Sequence, residues 1–133
     1  MAETSAPPAA GRVMAKTILA VDDDPFILIV VEKFLTVKGY KVIGMTDPEK
    51  AYFWAEKNKP DLVISDVAMT GVDGFTLIRN LKVNKETQDI PLVMLTASDK
   101  VSDVEKGFAS GAKAYILKPI DWDRAWAKLQ PLL

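Results

Sequence analysis

Four apolar runs in this sequence each end in a polar residue that could do chemistry. These residues are the pair Asp22-Asp23, Asp66, Thr96 and Lys118. The run before Asp66 is continuously apolar, which is typical of a parallel strand buried on both faces. Beyond the carboxyl ends of such strands lies the ligand crevice of an open α/β sheet. Asp66 alone could equally cap the turn that follows it. Four runs that end this way indicate one functional edge, because a slip of one residue would turn each group onto a sheet face.

The elements that must position these groups follow from the pattern of the chain. Five apolar runs alternate with five helical segments, which predicts parallel βαβ units and a doubly wound α/β sheet. The predicted strands end at Val21, span 40–45, begin at Leu62, end at Thr96 and span 114–117. The predicted helices span 26–37, 49–57, a stretch after Gly74, 101–110 and 121–129. Asp24-Pro25 and Asp47-Pro48 are helix-start signals, an acid at the cap followed by proline.

The helix predicted over 26–37 carries more large apolar residues than one buried face needs. The predicted buried stripe consists of Phe26, Ile27, Val30, Val31, Phe34 and Leu35. Leu28 and Ile29 then remain on the outer face, and exposed apolar residues rimmed by charge often mark a partner surface. The aromatic cluster at 52–54 is predicted to serve core packing rather than ligand binding.

Composition excludes several classes of protein. A length of 133 residues with 49% hydrophobic content predicts one domain with its own core. The absence of cysteine excludes disulfides and thiolate metal sites. A net charge of −1 gives no electrostatic footprint for direct nucleic-acid binding. No apolar run approaches the roughly 20 residues that span a bilayer, and no signal-peptide core is present, so we expect a cytoplasmic chain. Residues 1–15 are predicted to be a disordered tail and 16–133 the domain.

From about residue 16 to residue 129 the chain resembles a response-regulator receiver domain. The matching segments are Val21-Asp22-Asp23-Asp24, Asp66 with Met69 and Asp73-Gly74, Leu95-Thr96-Ala97, and Gly111 to Pro119. The resemblance implies a flavodoxin-like (βα)5 fold with strand order 2-1-3-4-5. Adjacent first and third strands would bring Asp22, Asp23 and Asp66 together. It also implies a cis peptide bond before Pro119.

Three carboxylates in one crevice require a cation. At about 4 Å and an effective dielectric near 20, each pair repels by about 4 kcal/mol. Oxygen ligands without His or Cys favour Mg²⁺, for which Mn²⁺ could substitute. By resemblance, Asp23, Asp66 and the backbone carbonyl of Ala68 are direct ligands, and Asp22 holds a coordinated water.

The function implied by the resemblance is transfer of a phosphoryl group to Asp66. The donor would be a phosphohistidine on a histidine kinase or a histidine phosphotransfer protein, since this chain has no histidine. Lys118 and Thr96 would bind phosphoryl oxygens. Thr96 and Tyr115 would act as a switch that alters the surface of the fourth helix, fifth strand and fifth helix. We expect no enzymatic activity beyond self-catalysed phosphorylation and dephosphorylation.

The resemblance also predicts two contact surfaces. In the family the first helix contacts the helical bundle that presents the phosphohistidine, so Leu28 and Ile29 are the docking candidates. Trp122 and Trp126 are expected to report the switch or to contact an output partner, whose identity the sequence does not give.

Three alternatives stay open. The chain could be a receiver segment of a hybrid histidine kinase or of a multidomain regulator. A flavin carrier of similar topology is disfavoured because three aspartates after the first strand would repel phosphate. A magnesium-dependent phosphatase would need a second acid near Asp66, which Val67-Ala68 does not supply.

Two positions depart from the usual pattern of the family. Thr70 stands where the family commonly has proline, and Ala68 has no side chain to position water. Both departures predict slow self-hydrolysis of the phosphate.

Overall fold

A computed structural model describes residues 15–68, 74–98 and 100–133 as a five-stranded parallel sheet between two helical layers. The strand order is β2-β1-β3-β4-β5, as predicted. The strands are β1 (Thr17–Val21), β2 (Lys41–Met45), β3 (Leu62–Asp66), β4 (Leu92–Thr96) and β5 (Ala114–Leu117). Every residue of β3 and β4 is buried, which explains their continuous apolar runs. The sheet is therefore the doubly wound, flavodoxin-like arrangement.

A helix follows each strand. The helices are α1 (Pro25–Val37), α2 (Pro48–Asn58), α3 (Gly74–Val83), α4 (Val101–Ser110) and α5 (Trp122–Leu129), followed by a short 3₁₀ turn over Gln130–Leu132 that was not predicted. The carboxylates of Asp24, Asp47 and Asp121 each accept hydrogen bonds from backbone N–H groups of the first helical turn. These caps fix where α1, α2 and α5 begin.

The helices cover both faces of the sheet. One core layer lies under α1 and α5 and contains Val31, Leu35, Ala125 and Leu129. The opposite layer lies under α2, α3 and α4 and contains Ala51, Leu77, Ile78, Leu81 and Ala112. With both faces covered, polar side chains at strand ends reach solvent only at the sheet edge.

The predicted buried stripe of α1 is partly wrong. Phe26 is 75% exposed and Val30 is also exposed, whereas Ile27, Val31 and Leu35 face the core. Leu28, predicted to face outward, is half-buried against Gly44 of β2. Ile29 is exposed, as predicted. Residues 26–31 are all apolar, so their periodicity does not fix the rotation of the helix.

The two tryptophans of α5 pack against α1 rather than on the side of α4. Trp122 stacks on Phe34 with ring centroids 4.5 Å apart, and Trp126 meets the same ring edge-on at 6.2 Å. The Lys38 ammonium group lies 4.9 Å from the Trp126 ring. Both rings lie on the side of α5 that faces α1, as their spacing of four residues allows, and the expectation that they report the switch or contact an output partner stays a prediction.

Two sequence predictions concern the limits of the chain and its environment. The tail predicted over residues 1–15 lies outside the described residues except for Ala15. In the described part of the chain, no helix combines the length and apolar character needed to cross a membrane.

Candidate functional site

The structure brings the predicted site residues together at the carboxyl-terminal ends of the strands. Parallel pairing aligns Val21 of β1 with Ser65 of β3, and Asp66 with Leu95 of β4. Asp22 and Asp66 therefore lie next to each other at the carboxyl ends of adjacent strands. Thr96 ends β4, and Lys118 follows β5, the next strand along the same edge.

Three carboxylates form the centre of the site. Asp22, Asp23 and Asp66 each offer an oxygen atom, and these oxygens all lie within 4.8 Å of one another. Asp22 and Asp66 are buried, while Asp23 is exposed to solvent. A cluster made only of carboxylate oxygens, open on one side, fits a hard divalent cation that keeps some of its water. These residues therefore fit Mg²⁺.

Lys118 supplies the positive charge inside the site. Its ammonium group donates a 2.8 Å hydrogen bond to Asp22 Oδ2 and lies 3.5 Å from Asp66 Oδ1. Burial alone would lower the pKa of Lys118, but the hydrogen bond to Asp22 and the charges of both aspartates outweigh it and raise that pKa. Lys118 is therefore held in its charged form between two carboxylates. The peptide bond between Lys118 and Pro119 is cis, as the resemblance implied.

Asp66 is in an environment that disfavours its charge. Burial raises the pKa of Asp66, and the negative charge of Asp22 raises it further. The Ala68 N–H, which donates to Asp66 Oδ1 at 3.3 Å, and the Lys118 ammonium group act in the opposite direction. An ionised Asp66 thus lies in the site with a surplus of negative charge, which an incoming cation would relieve.

The first residue of α3 lies against the backbone of Asp66. This residue, Gly74, lies so close that a Cβ atom there would overlap the carbonyl oxygen of Asp66. Only glycine fits this approach, which accounts for glycine at position 74. Ala68 is exposed, while Met69, Thr70 and Asp73 lie outside the described residues.

Thr96 is connected to α4 through Ser98, which belongs to no sequence motif. The Thr96 Oγ1 accepts a 3.0 Å hydrogen bond from the Ser98 N–H. The Ser98 hydroxyl in turn donates to the Asp103 carboxylate in the first turn of α4, at 2.7 Å. Serine after a strand is an ordinary turn residue, so this link is visible only in the structure.

Tyr115 lies in β5, three residues before Lys118. It pairs with Met94 of β4 and packs against the core layer under α4. Its ring contacts Phe108 of α4 and Lys128 of α5. Neither contact was predicted from the sequence, because Phe108 and Lys128 belong to no recognisable motif.

Comparison with known proteins gives a consistent result. The response regulator receiver domain family matches residues 18–130. The DNA-binding dual master transcriptional regulator RpaA of Synechocystis is 40% identical over 116 residues, which cover 87% of this chain and 48% of that protein. A putative response regulator from Chloroflexus aurantiacus has a TM-score of 0.85 at 33% identity, covering 90% of this chain and 98% of the other.

One similar structure contains a metal. The receiver domain of the sensor histidine kinase PA1611 from Pseudomonas aeruginosa has a TM-score of 0.82 at 27% identity, covering 90% of this chain and 98% of the other, and it holds a magnesium ion in its active-site cleft. The chain spans about half or less of the length of the curated relatives it matches. RpaA binds DNA, so the prediction of no nucleic-acid contact cannot be extended from this domain to a longer protein.

The fold, the acidic cluster at the strand ends and these matches together show that the chain belongs to the response regulator receiver domain family, the signalling domains that work with histidine kinases in two-component systems.

Proposed function

We propose that this domain accepts a phosphoryl group on Asp66 from a phosphohistidine of a histidine kinase or a histidine phosphotransfer protein. A carboxylate oxygen of Asp66 forms the new bond to phosphorus, the phosphorus–nitrogen bond breaks, and the histidine leaves with the bonding electron pair and takes up a proton. The observation that carries the proposal is the position of the Lys118 ammonium group, held between Asp22 and Asp66. There it can neutralise an oxygen of the transferring group.

Mg²⁺ fits the cluster as the second source of positive charge. Asp23 and Asp66 would bind it directly with the backbone carbonyl of Ala68, and Asp22 would hold a coordinated water. The bound ion supplies charge neutralisation for a phosphoryl group approaching three carboxylates. Mn²⁺ has the same preference for oxygen ligands and could replace it. The magnesium in the related PA1611 domain supports this assignment.

We propose that Thr96 and Tyr115 transmit the occupancy of Asp66. The Thr96 hydroxyl can bind a phosphoryl oxygen by moving towards the site, and Tyr115 then turns inward into the space behind it. The surface formed by α4, β5 and α5 would change as a result, because the Tyr115 ring contacts both helices. This surface is the proposed contact for an output partner.

The donor protein is proposed to dock on α1. The exposed apolar residues Phe26, Ile29 and Val30 follow helical spacing on one face of α1, which begins beside the acidic cluster at Asp24. This supports Ile29 as a docking residue and adds Phe26 and Val30. Leu28 lies at the inner border of this surface, since it also packs on Gly44.

The limits of the domain, its cellular location and its functional class are also proposals. The folded unit is taken as residues 16–133, with 1–15 as a disordered tail, and it is placed in the cytoplasm, where histidine kinases present their phosphohistidine. It acts as a phosphoacceptor rather than as an enzyme with its own substrate. The length of the relatives keeps the alternative of a segment of a larger regulator or hybrid kinase open.

The proposal is tested by intact-mass analysis after incubation with Mg²⁺ and acetyl phosphate. We expect one added phosphoryl group on the wild-type chain, none on Asp66→Asn, and unchanged labelling of the control Asp89→Asn, an exposed aspartate outside the site. Full labelling of Asp66→Asn would show that Asp66 is not the acceptor.

A further inference from the structure

One lysine fixes both the backbone and the ring of Tyr115. The ammonium group of Lys128, on α5, lies 4.1 Å from the centroid of the Tyr115 ring. The same group donates a 2.7 Å hydrogen bond to the Tyr115 carbonyl oxygen. Phe108, on α4, meets the ring edge-on with 6.2 Å between the centroids. The ring is therefore held between the two helices that flank β5.

Lys128 reaches Tyr115 around the edge of the sheet. The Tyr115 side chain packs with the core layer under α2, α3 and α4, whereas α5 belongs to the opposite layer. β5 is an edge strand, and carbonyl groups at a sheet edge lack a partner strand. Lys128 supplies a hydrogen-bond donor to this edge and at the same time a cation for the ring. It therefore links α5 to Tyr115, the proposed switch residue.

We propose that Lys128 is a positioning residue that restrains the switch and thereby weakens phosphoryl binding at Asp66. The inference rests on the proposed function, in which Tyr115 turns inward when Asp66 is occupied. In this structure the half-buried ring lies against the Lys128 ammonium group. A further inward turn would separate the two, so the occupied state would lose a contact that the free state keeps. A contact made in only one of two states shifts the equilibrium towards that state. Because coupling between sites is reciprocal, it also lowers the affinity of the ligand that favours the other state.

The size of the effect follows from the type of contact. A cation–π contact at an exposed site corresponds to about two- to fivefold in an equilibrium constant. In Lys128→Met the charge is lost while most of the apolar stem is kept. We expect this variant, saturated with Mg²⁺, to bind beryllium fluoride about two- to fivefold more tightly than the wild-type chain in isothermal titration calorimetry. General damage to the fold, or the loss of one positive charge from the protein, would change the affinity in the opposite direction.

Three further variants make the test specific. Lys128→Arg keeps a cation over the ring and should retain the wild-type affinity. Lys113→Met removes the charge of an exposed lysine just before β5 and should not tighten binding. Tyr115→Leu removes the ring, so adding Lys128→Met to this background should no longer tighten binding.

Each result separates this inference from the proposed function. Unchanged or weaker binding by Lys128→Met would overturn the inference, and so would tighter binding that persists in the Tyr115→Leu background. Either result leaves the acceptor role of Asp66 intact as long as the wild-type chain binds beryllium fluoride. A wild-type chain that fails to bind it in the presence of Mg²⁺ would refute the proposed function, and with it the inference.

Discussion

Asp66, the proposed phosphoacceptor, lies where its charge destabilises the folded chain. Burial and the nearby charge of Asp22 raise the pKa of Asp66 above its value in the unfolded chain. A raised pKa means that the folded state binds the proton more tightly than the unfolded state. Stability therefore falls as the pH rises from the unfolded-state pKa through the folded-state pKa of Asp66, and the cost of the ionised carboxylate is fully developed above the folded-state pKa.

We predict that Asp66→Asn stabilises the metal-free protein at pH 7. Removing the charge relieves the burial cost and the repulsion from Asp22, which together outweigh the lost attraction to Lys118. A gain of about 1 kcal/mol is expected, which for a domain of this size raises the melting temperature by about 4 °C. The measurement is thermal unfolding in a chelator, with Asp89→Asn as the exposed control. The gain should disappear in acid, where Asp66 is protonated in the wild-type chain, and a lower melting temperature at pH 7 would contradict the argument.

At the scale of elements, α4 is weakly attached to the rest of the domain. Its only buried residues are Gly107 and Ser110, and its N-cap, Lys100, makes no side-chain capping hydrogen bond. The helix lies close to β4 because Gly107 has no side chain: a Cβ atom there would overlap the sulfur of Met94. The hydrogen bond from Ser98 to Asp103 ties its first turn to the loop after Thr96. An element with so little buried side chain can move at low cost.

We predict that occupancy of Asp66 changes hydrogen exchange in residues 101–117. With Mg²⁺ and beryllium fluoride, movement of Thr96 would alter its hydrogen bond with Ser98 and, through Asp103, the first turn of α4. Thr96→Ala, which removes the hydroxyl, should uncouple the change while Asp66 can still be occupied. The measurement is exchange followed by mass spectrometry. Unchanged exchange in this segment with Asp66 demonstrably occupied would place the switch elsewhere in the chain.

The exposed face of α1 yields a test of docking. We predict that Ile29→Lys slows phosphoryl transfer from a phosphorylated histidine kinase that modifies the wild-type chain, with about a tenfold loss, since truncation of an interface anchor commonly costs more than 1 kcal/mol. Ile29 is 48% exposed, so the fold should tolerate the change. Acetyl phosphate labelling should stay normal, because a small donor does not use this surface. Val83→Lys, at an exposed apolar residue at the end of α3, is the matched control. Equal transfer to Ile29→Lys and wild type would exclude this face as the docking surface.

At the scale of the whole molecule, sequence patterns predicted the sheet and the functional edge better than they predicted contacts between helices. Buried parallel strands are short and apolar throughout, so their ends are well marked, and the observed ends of β3 and β4 are the predicted ones. The rotation of α1 could not be predicted, because residues 26–31 have no polar face to orient them. The packing of Trp122 on Phe34 and of Lys128 on Tyr115 depends on the position and rotation of each helix relative to the sheet. Periodicity places both tryptophans on one face of α5 but does not identify the side chains of other elements that they meet.

The acidic cluster exists only in the assembled sheet. Asp22 and Asp23 follow β1, whereas Asp66 ends β3, so the unfolded chain does not hold the three carboxylates together. A cation that binds the folded cluster alone stabilises the domain by mass action, by about 1.4 kcal/mol at ten times its dissociation constant. We predict a melting temperature that rises with Mg²⁺ concentration, a similar rise with Mn²⁺, and little rise in Asp23→Ala. Sodium chloride at matched ionic strength is the control, since screening alone would also reduce repulsion among the carboxylates. An equal rise with sodium chloride, or in Asp23→Ala, would show that the cluster does not bind the cation specifically.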